Sequence, residues 1–245
     1  MFLILRGAET RSGRGERERG RGNRNGIALR RMRNSWDISR PLTKDLAPWP
    51  GDTPFRYELI WRLSQTCSVN VGALNTSTHN GTHADAPFHF QGEGAAIDSV
   101  PLENYIGPAV VIDLVEKFSR TQPSIAIADL GHALPQIAET RRVLLKTNCF
   151  PDPTRFPDWI PVLNSEAITW LRELRVVLLG VDVPSVDPIE AKVLPNHHAL
   201  ALGKIAIIES LDLSEIEAGV YQFAALPLKI VGGDAAPVRA LLWRD

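Results

Sequence analysis

Residues 79–89 read His79-Asn80-Gly81-Thr82-His83-Ala84-Asp85-Ala86-Pro87-Phe88-His89. Three of the chain's six histidines and one aspartate fall within them. His79, His83, Asp85 and His89 all occupy odd positions. On an extended backbone, alternate side chains point the same way, so the four would share one face. Gly81 falls on that face and has no side chain to block an ion. Pro87 can interrupt the extension and so separate His89 from the other three. Imidazole and carboxylate are ligands for zinc and similar divalent ions. A single histidine is more often a surface or core residue with a satisfied hydrogen bond. Three of them interleaved with Asp and Gly at one parity point to a metal.

Around this stretch the chain alternates between strand-like segments and turns. Trp36–Ser39 predicts a first short strand. Arg56–Leu63 and Cys67–Leu74 alternate as two strands joined by a short turn, and the second runs into His79. Ala109–Leu114, Val143–Thr147 and Val176–Val181 are apolar runs that predict buried strands. Asn164 or Ser165 starts a helix, with Glu166 at its positive end and Ile168, Leu171 and Leu174 on an apolar side. Lys204–Glu209 is a strongly apolar strand closed by a carboxylate, which needs solvent or a strong partner. Tyr221–Ile230 and Pro237–Trp243 complete the domain. The pattern predicts an α/β fold, with residues 35–245 forming one compact domain of mixed β-sheet and flanking helices.

His197, His198 and Glu209 form a second ligand-rich set far along the chain. Asp182 and Asp187, at the end of a predicted strand, serve either as site hydrogen-bond partners or as turn formers. Trp49 lies between Pro48 and Pro50 in a stiff loop, as a site wall or as a packed surface aromatic.

With 245 residues, 44% of them hydrophobic and 22% charged, the chain has the composition of a globular domain. It has no apolar run long enough to span a bilayer, and MFLILRG is too short for a signal peptide. Its only cysteines, Cys67 and Cys149, fit free thiols in a reducing cytoplasm and rule out a four-cysteine zinc site. Residues 1–34 carry ten arginines against three glutamates, while the whole chain has a net charge of −1. The remainder is therefore acidic, which argues against nucleic-acid binding by the domain. The Arg/Gly-rich extension over 1–34 cannot offset its ordering entropy and is expected to be disordered. An RNA-binding arm is one reading of it. The favoured reading takes Met32, just before the first folded-looking residues, as the true start. An intact N-terminus upstream of Met32, found by mass spectrometry of the native protein, would count against that.

Several chemistries are excluded by missing motifs. There is no GxSxG elbow, no P-loop, no GxGxxG fingerprint and no HExxH. Two ligand-rich stretches remain, and a metal site is the economical reading. His79, His83, Asp85, one of the His197–His198 pair and Glu209 are more groups than a mononuclear catalytic zinc needs. Two ions roughly 3.5–4 Å apart, bridged by the carboxylates, would use them all and would activate water as hydroxide near neutral pH. His89 would then be spare and able to shuttle a proton.

HNGTHADAPFH resembles the HxGTHxDxPxH signature of the metal-dependent cyclase-type hydrolases. WDISRPLTKDLAPWPGDTPF, VNVG, DVPSVDP, HHAL with IIESLDL, and YQFAALPLKIVGGDAAPVRALL extend the resemblance over residues 35–243. The branch they resemble is the bacterial kynurenine formamidases (arylformamidases). The resemblance implies the cyclase-family, swivelling β/α-like fold and hydrolysis of N-formyl-L-kynurenine to L-kynurenine and formate. It also implies two zinc ions per subunit, with manganese as the alternative, and a homodimer acting on a small molecule, with no membrane or nucleic-acid partner. By the same resemblance His79 and His83 are ligands of one ion, His197 of the other, and Asp85 and Glu209 bridge. His89 is the proton donor and acceptor, and Trp49 touches substrate. The choice of His197 over His198 follows the family spacing to the glutamate. Two departures, Gly232–Ala236 and Gln222-Phe223, are expected to touch no ligand. The competing readings are a related hydrolase of a cyclic amide such as isatin, and an RNA-binding or scaffold protein using the Arg/Gly arm.

Overall fold

The computed structural model describes residues 34–244. The expectations for the Arg/Gly extension and for Met32 as the start lie outside the described residues.

Thirteen strands are formed among the described residues. In chain order they are β1 (Asn34–Asp37), β2 (Arg56–Trp61), β3 (Val71–Asn75), β4 (His83–Asp85), β5 (Ile106–Asp113), β6 (Ser124–Ile125) and β7 (Arg142–Lys146). They continue with β8 (Val162–Leu163), β9 (Leu178–Val181), β10 (Ala206–Glu209), β11 (Gly219–Ala224), β12 (Ala235–Pro237) and β13 (Leu241–Arg244). Four short helices join them: α1 (Ile127–Leu130), α2 (Leu134–Thr140), α3 (Ser165–Glu173) and α4 (Pro195–Leu202).

Nine strands make one sheet in the order β1-β13-β11-β5-β7-β9-β10-β4-β12. Its centre, β5-β7-β9-β10, is parallel, and the strands on both sides are antiparallel. Parallel strands covered on both faces should be apolar throughout. Accordingly, Val110–Ile112, Val143–Leu145 and Leu178–Leu179 are all buried. Alternate residues feed two cores. Val110, Ile112, Val143, Leu145 and Leu179 face the helices, where Ile137, Leu171 and Leu200 pack on them. Val111, Leu144 and Leu178 face the second core. That core also takes Ile38 and Leu242 from one end of the strand order and Ala84 and Ala236 from the other. Residues from the two ends meet there because the mixed sheet curls around it.

The expected strands form, with shifts at their ends. The helix at 165–173 starts as expected, Asn164 Oδ1 accepting from the Ala167 amide at 2.8 Å. α1 and α2 are not foreseen by the sequence reading. They are short, and Gly131 and Pro135 interrupt the periodicity that would announce a longer helix. The first predicted hairpin, β2–β3, pairs only with itself and carries a bulge between Leu59 and Trp61. The connection between its strands runs from Arg62 to Asn70, longer than the short turn expected, and much of its apolar surface is exposed.

Candidate active site

β4 lies between β10 and β12, and this placement builds the floor of the site. In the antiparallel β10–β4 ladder Glu209 is directly opposite His83, and Ile207 is opposite Asp85. Cross-strand partners share a face, and so do residues two apart on one strand. His83, Asp85 and Glu209 therefore point to the same side. The intervening Ala84, Ile208 and Ala236 point into the second core. α4 covers the ligand side of the sheet. Its Leu200 packs into the helix-side core, and His197, one turn earlier, reaches the same carboxylates.

His79 and His89 arrive by other routes than the shared parity suggested. Only His83–Asp85 is strand. His79 sits in the turn that precedes it, and His89 closes a 3-10 turn begun by Pro87. Gly81 has a backbone role beyond the one expected of it. Its φ is +66°, a left-handed conformation that favours glycine, and an added Cβ would meet Leu42 Cδ2 at 2.8 Å. The turn and the close chain approach require this glycine.

Five side chains converge. His83 Nε2 is 3.4 Å from both Asp85 Oδ1 and Glu209 Oε2, and His79 Nδ1 is 3.1 Å from Asp85 Oδ1. His197 Nε2 lies 3.3 Å from Asp85 Oδ2 and 3.5 Å from Glu209 Oε1. Each carboxylate thus turns one oxygen toward His83 and the other toward His197. All but His79 are nearly inaccessible, with His83, Asp85, His197 and Glu209 at 4% exposure or less.

The remaining nitrogens are anchored outward. His83 Nδ1 donates to the Gly81 carbonyl at 2.9 Å, and His197 Nδ1 donates to Asp187 Oδ2 at 2.6 Å. His79 Nε2 donates to Asp234 Oδ2 at 3.0 Å. Asp187 also accepts from the Asn196 and His197 amides and so caps α4. It is a site residue that sequence reasoning left undecided. Asp182 accepts from Thr147 and Asn148 and shapes a buried turn away from the ligand set. Asp234, within the segment expected to touch no ligand, contacts His79 and lies 3.9 Å from His89 Nδ1, which corrects that expectation. The sequence signal for it was weak, because a lone Asp after two glycines looks like a turn former.

The donor set fits a divalent metal. His83 Nε2 and Asp85 Oδ1 are buried with no hydrogen-bond partner, although they approach each other. Orphaned buried polar atoms are costly, and here they converge as ligand atoms do. The local electrostatics agree. Burial opposes charge on His83 and His197, yet the surrounding carboxylates outweigh it and push them up to about 10 and about 12. Burial also opposes ionisation of Asp85 and Glu209, but the adjoining histidines hold both below the usual carboxylate range. The site is built for excess positive charge among its carboxylates. His89 is set apart. Burial first, then His79 and His197, hold its pKa below the ordinary value against the pull of Asp85. Its ring is within 4.8 Å ligand-atom reach of Asp85 and His197, so a metal-binding role for it is also geometrically open.

Above the cluster lies a cavity of about 510 Å³, bordered by His79, His83, His89, His197 and Glu209. Trp49 forms part of its wall, packed edge-on against Phe156 with centroids 5.0 Å apart. Trp49 thus has both of the roles considered for it, packed and partly exposed at the cavity. His198 points elsewhere, its ring 5.5 Å from that of Phe90.

Comparisons with known proteins place the chain among similar sequences and folds. Residues 36–188 match the family model Cyclase, described as "Putative cyclase". A kynurenine formamidase of Bacillus cereus is 42% identical over 206 residues, covering 84% of this chain and 95% of its own. A solved structure titled as a potential metal-dependent hydrolase with cyclase activity superposes with a TM-score of 0.71 at 25% identity. It covers 86% of this chain and 98% of its own. An isatin hydrolase bound to thioisatinate reaches a TM-score of 0.73 at 21% identity, covering 86% and 92%, a likeness of fold.

Proposed function

We propose, because this chain belongs to the cyclase family, that it is a metal-dependent amide hydrolase converting N-formyl-L-kynurenine to L-kynurenine and formate. The match to a kynurenine formamidase along nearly the whole of that relative carries the reading. The donor cluster beneath an aromatic-walled cavity supports it chemically.

His79, His83, Asp85 and Glu209 would hold one zinc ion, and His197 with the same two carboxylates a second; manganese is the alternative. When bound, such ions supply Lewis acidity to the formyl carbonyl and lower the pKa of water. The chain's own residues do the rest. Trp49 and Phe156 offer an aromatic wall for the aryl ring. His89, kept neutral by burial and its neighbouring histidines, can accept the proton of the attacking water. The water oxygen bonds to the formyl carbon, the C–N bond breaks, and His89 returns the proton to the aryl nitrogen. Formic acid, which ionises to formate and a proton released to solvent, and the aromatic amine leave. An aryl amine leaves more readily than an alkyl amine, so aryl formamides are the expected class.

The working unit is a homodimer in this reading, since Tyr57, Ile60, Trp61 and Leu74 leave the β2–β3 hairpin with an exposed apolar surface. Both cysteines are unpaired, which fits the cytoplasm. Among the described residues no helix is long and apolar enough to cross a membrane.

Turnover of N-formyl-L-kynurenine and of isatin by the purified protein tests the assignment. Preferential hydrolysis of the formamide supports it, and preferential opening of isatin would replace it with the cyclic-amide reading.

A further inference from the structure

We infer that Asp234 is a positioning residue of the metal centre, fixing the His79 ring so that Nδ1 rather than Nε2 is presented to Asp85. The inference rests on the reading of His79 as a metal ligand.

A neutral imidazole carries one N–H and one lone pair, and the partner of one nitrogen decides the state of the other. Asp234 Oδ2 is 3.0 Å from His79 Nε2, and a carboxylate there can only accept. A metal at Nδ1 therefore requires the proton on Nε2, where Asp234 accepts it, and Nδ1 already stands 3.1 Å from Asp85 Oδ1. His83 and His197 follow the same design, each with its outward nitrogen donating to a fixed oxygen, Gly81 O and Asp187 Oδ2. Asp234 completes the set for the third imidazole. A carboxylate in this place also makes the imidazole a more basic ligand than a carbonyl would.

Asp234 is itself held at both ends of the histidine stretch. Its Oδ1 accepts from Thr78 Oγ1 at 3.0 Å. Its backbone carbonyl accepts from the Ala86 amide at 2.9 Å. The next residue, Ala235, pairs directly with Asp85 in the β12–β4 ladder. The Asp234 carboxylate is thus registered against the ligand strand, although it lies 155 residues downstream of His79 in sequence.

Competition for Zn2+ with a chromophoric chelator tests this without any assay of turnover. The wild type would be compared with Asp234→Ala, Asp234→Asn, His79→Ala and Asp98→Ala. Asp98 Oδ1 holds the same turn through the Gly232 amide at 2.9 Å and has no histidine among its hydrogen-bond partners, so Asp98→Ala controls for a loosened loop. Zinc affinity should fall about 10- to 100-fold in Asp234→Ala and by less in Asp234→Asn, which keeps an acceptor. Asp98→Ala should bind zinc as the wild type does. Wild-type affinity in Asp234→Ala, with zinc lost in His79→Ala, would overturn the inference while leaving the ligand reading intact. Equal weakening in Asp98→Ala and Asp234→Ala would reduce Asp234 to a structural role and also overturn it. Unchanged affinity in His79→Ala would remove the ligand reading and the inference with it.

Discussion

Glu209 stands directly opposite His83 in the β10–β4 ladder, with Glu209 Oε2 3.4 Å from His83 Nε2. This pairing joins two stretches of sequence more than a hundred residues apart and brings both into one donor set. Glu209 is also the last residue of a parallel strand, and open parallel sheets commonly bind ligands beyond such carboxyl ends. Its Oε1 accepts from the Val186 amide at 2.9 Å, so the carboxylate is oriented before anything binds.

Glu209→Gln should therefore lose metal. Replacing one of two shared carboxylates by an amide removes its charge from both donor groups and an oxygen ligand from one of them. Elemental analysis of the purified variant should find about one zinc or fewer per subunit, against about two in the wild type. Wild-type metal content in the variant would refute the bridging role.

His89→Ala should keep its metal and lose about 10²- to 10⁴-fold in kcat, the range typical of a general acid–base group. Metal content and kcat need to be measured on the same preparation. If kcat is unchanged, His89 has no part in proton transfer; if metal is lost with it, His89 is a ligand.

Asp187→Asn should destabilise the protein by about 1–3 kcal/mol, because the aspartate both caps α4 and holds the His197 ring. Denaturant unfolding measures this. A stability equal to that of the wild type would mean that neither contact matters.

Trp49→Ala should raise KM for N-formyl-L-kynurenine by about tenfold, roughly the 1.4 kcal/mol of an aromatic contact, with a smaller change in kcat. Trp49→Phe should recover much of the loss. A fall in kcat with KM unchanged would place Trp49 outside substrate binding.

The residues that cluster at the site are more legible in the sequence than the geometry that gathers them. The parity of His83 and Asp85 is legible because a strand has a period of two, and the structure keeps it for those two residues. For His79 and His89 parity succeeded by coincidence. A glycine turn and a 3-10 turn deliver them to the same place, and alternation cannot describe either. The buried strands were legible as apolar runs because the parallel centre is covered on both faces. The order of those strands was not, since register depends on pairings across the chain such as His83 with Glu209. Asp187 and Asp234 stayed undecided or unnoticed for a related reason. Their roles lie in contacts with His197 and His79, and locally each looks like a turn aspartate.

Removing and restoring the metal tests whether this site hydrolyses an aryl formamide with bound metal. Protein stripped with a chelator and shown to remain folded should have negligible turnover of N-formyl-L-kynurenine. Zinc or manganese added back should restore it, saturating near two equivalents per subunit. Full formamidase activity in protein proven free of metal would rule out a metal-dependent hydrolysis.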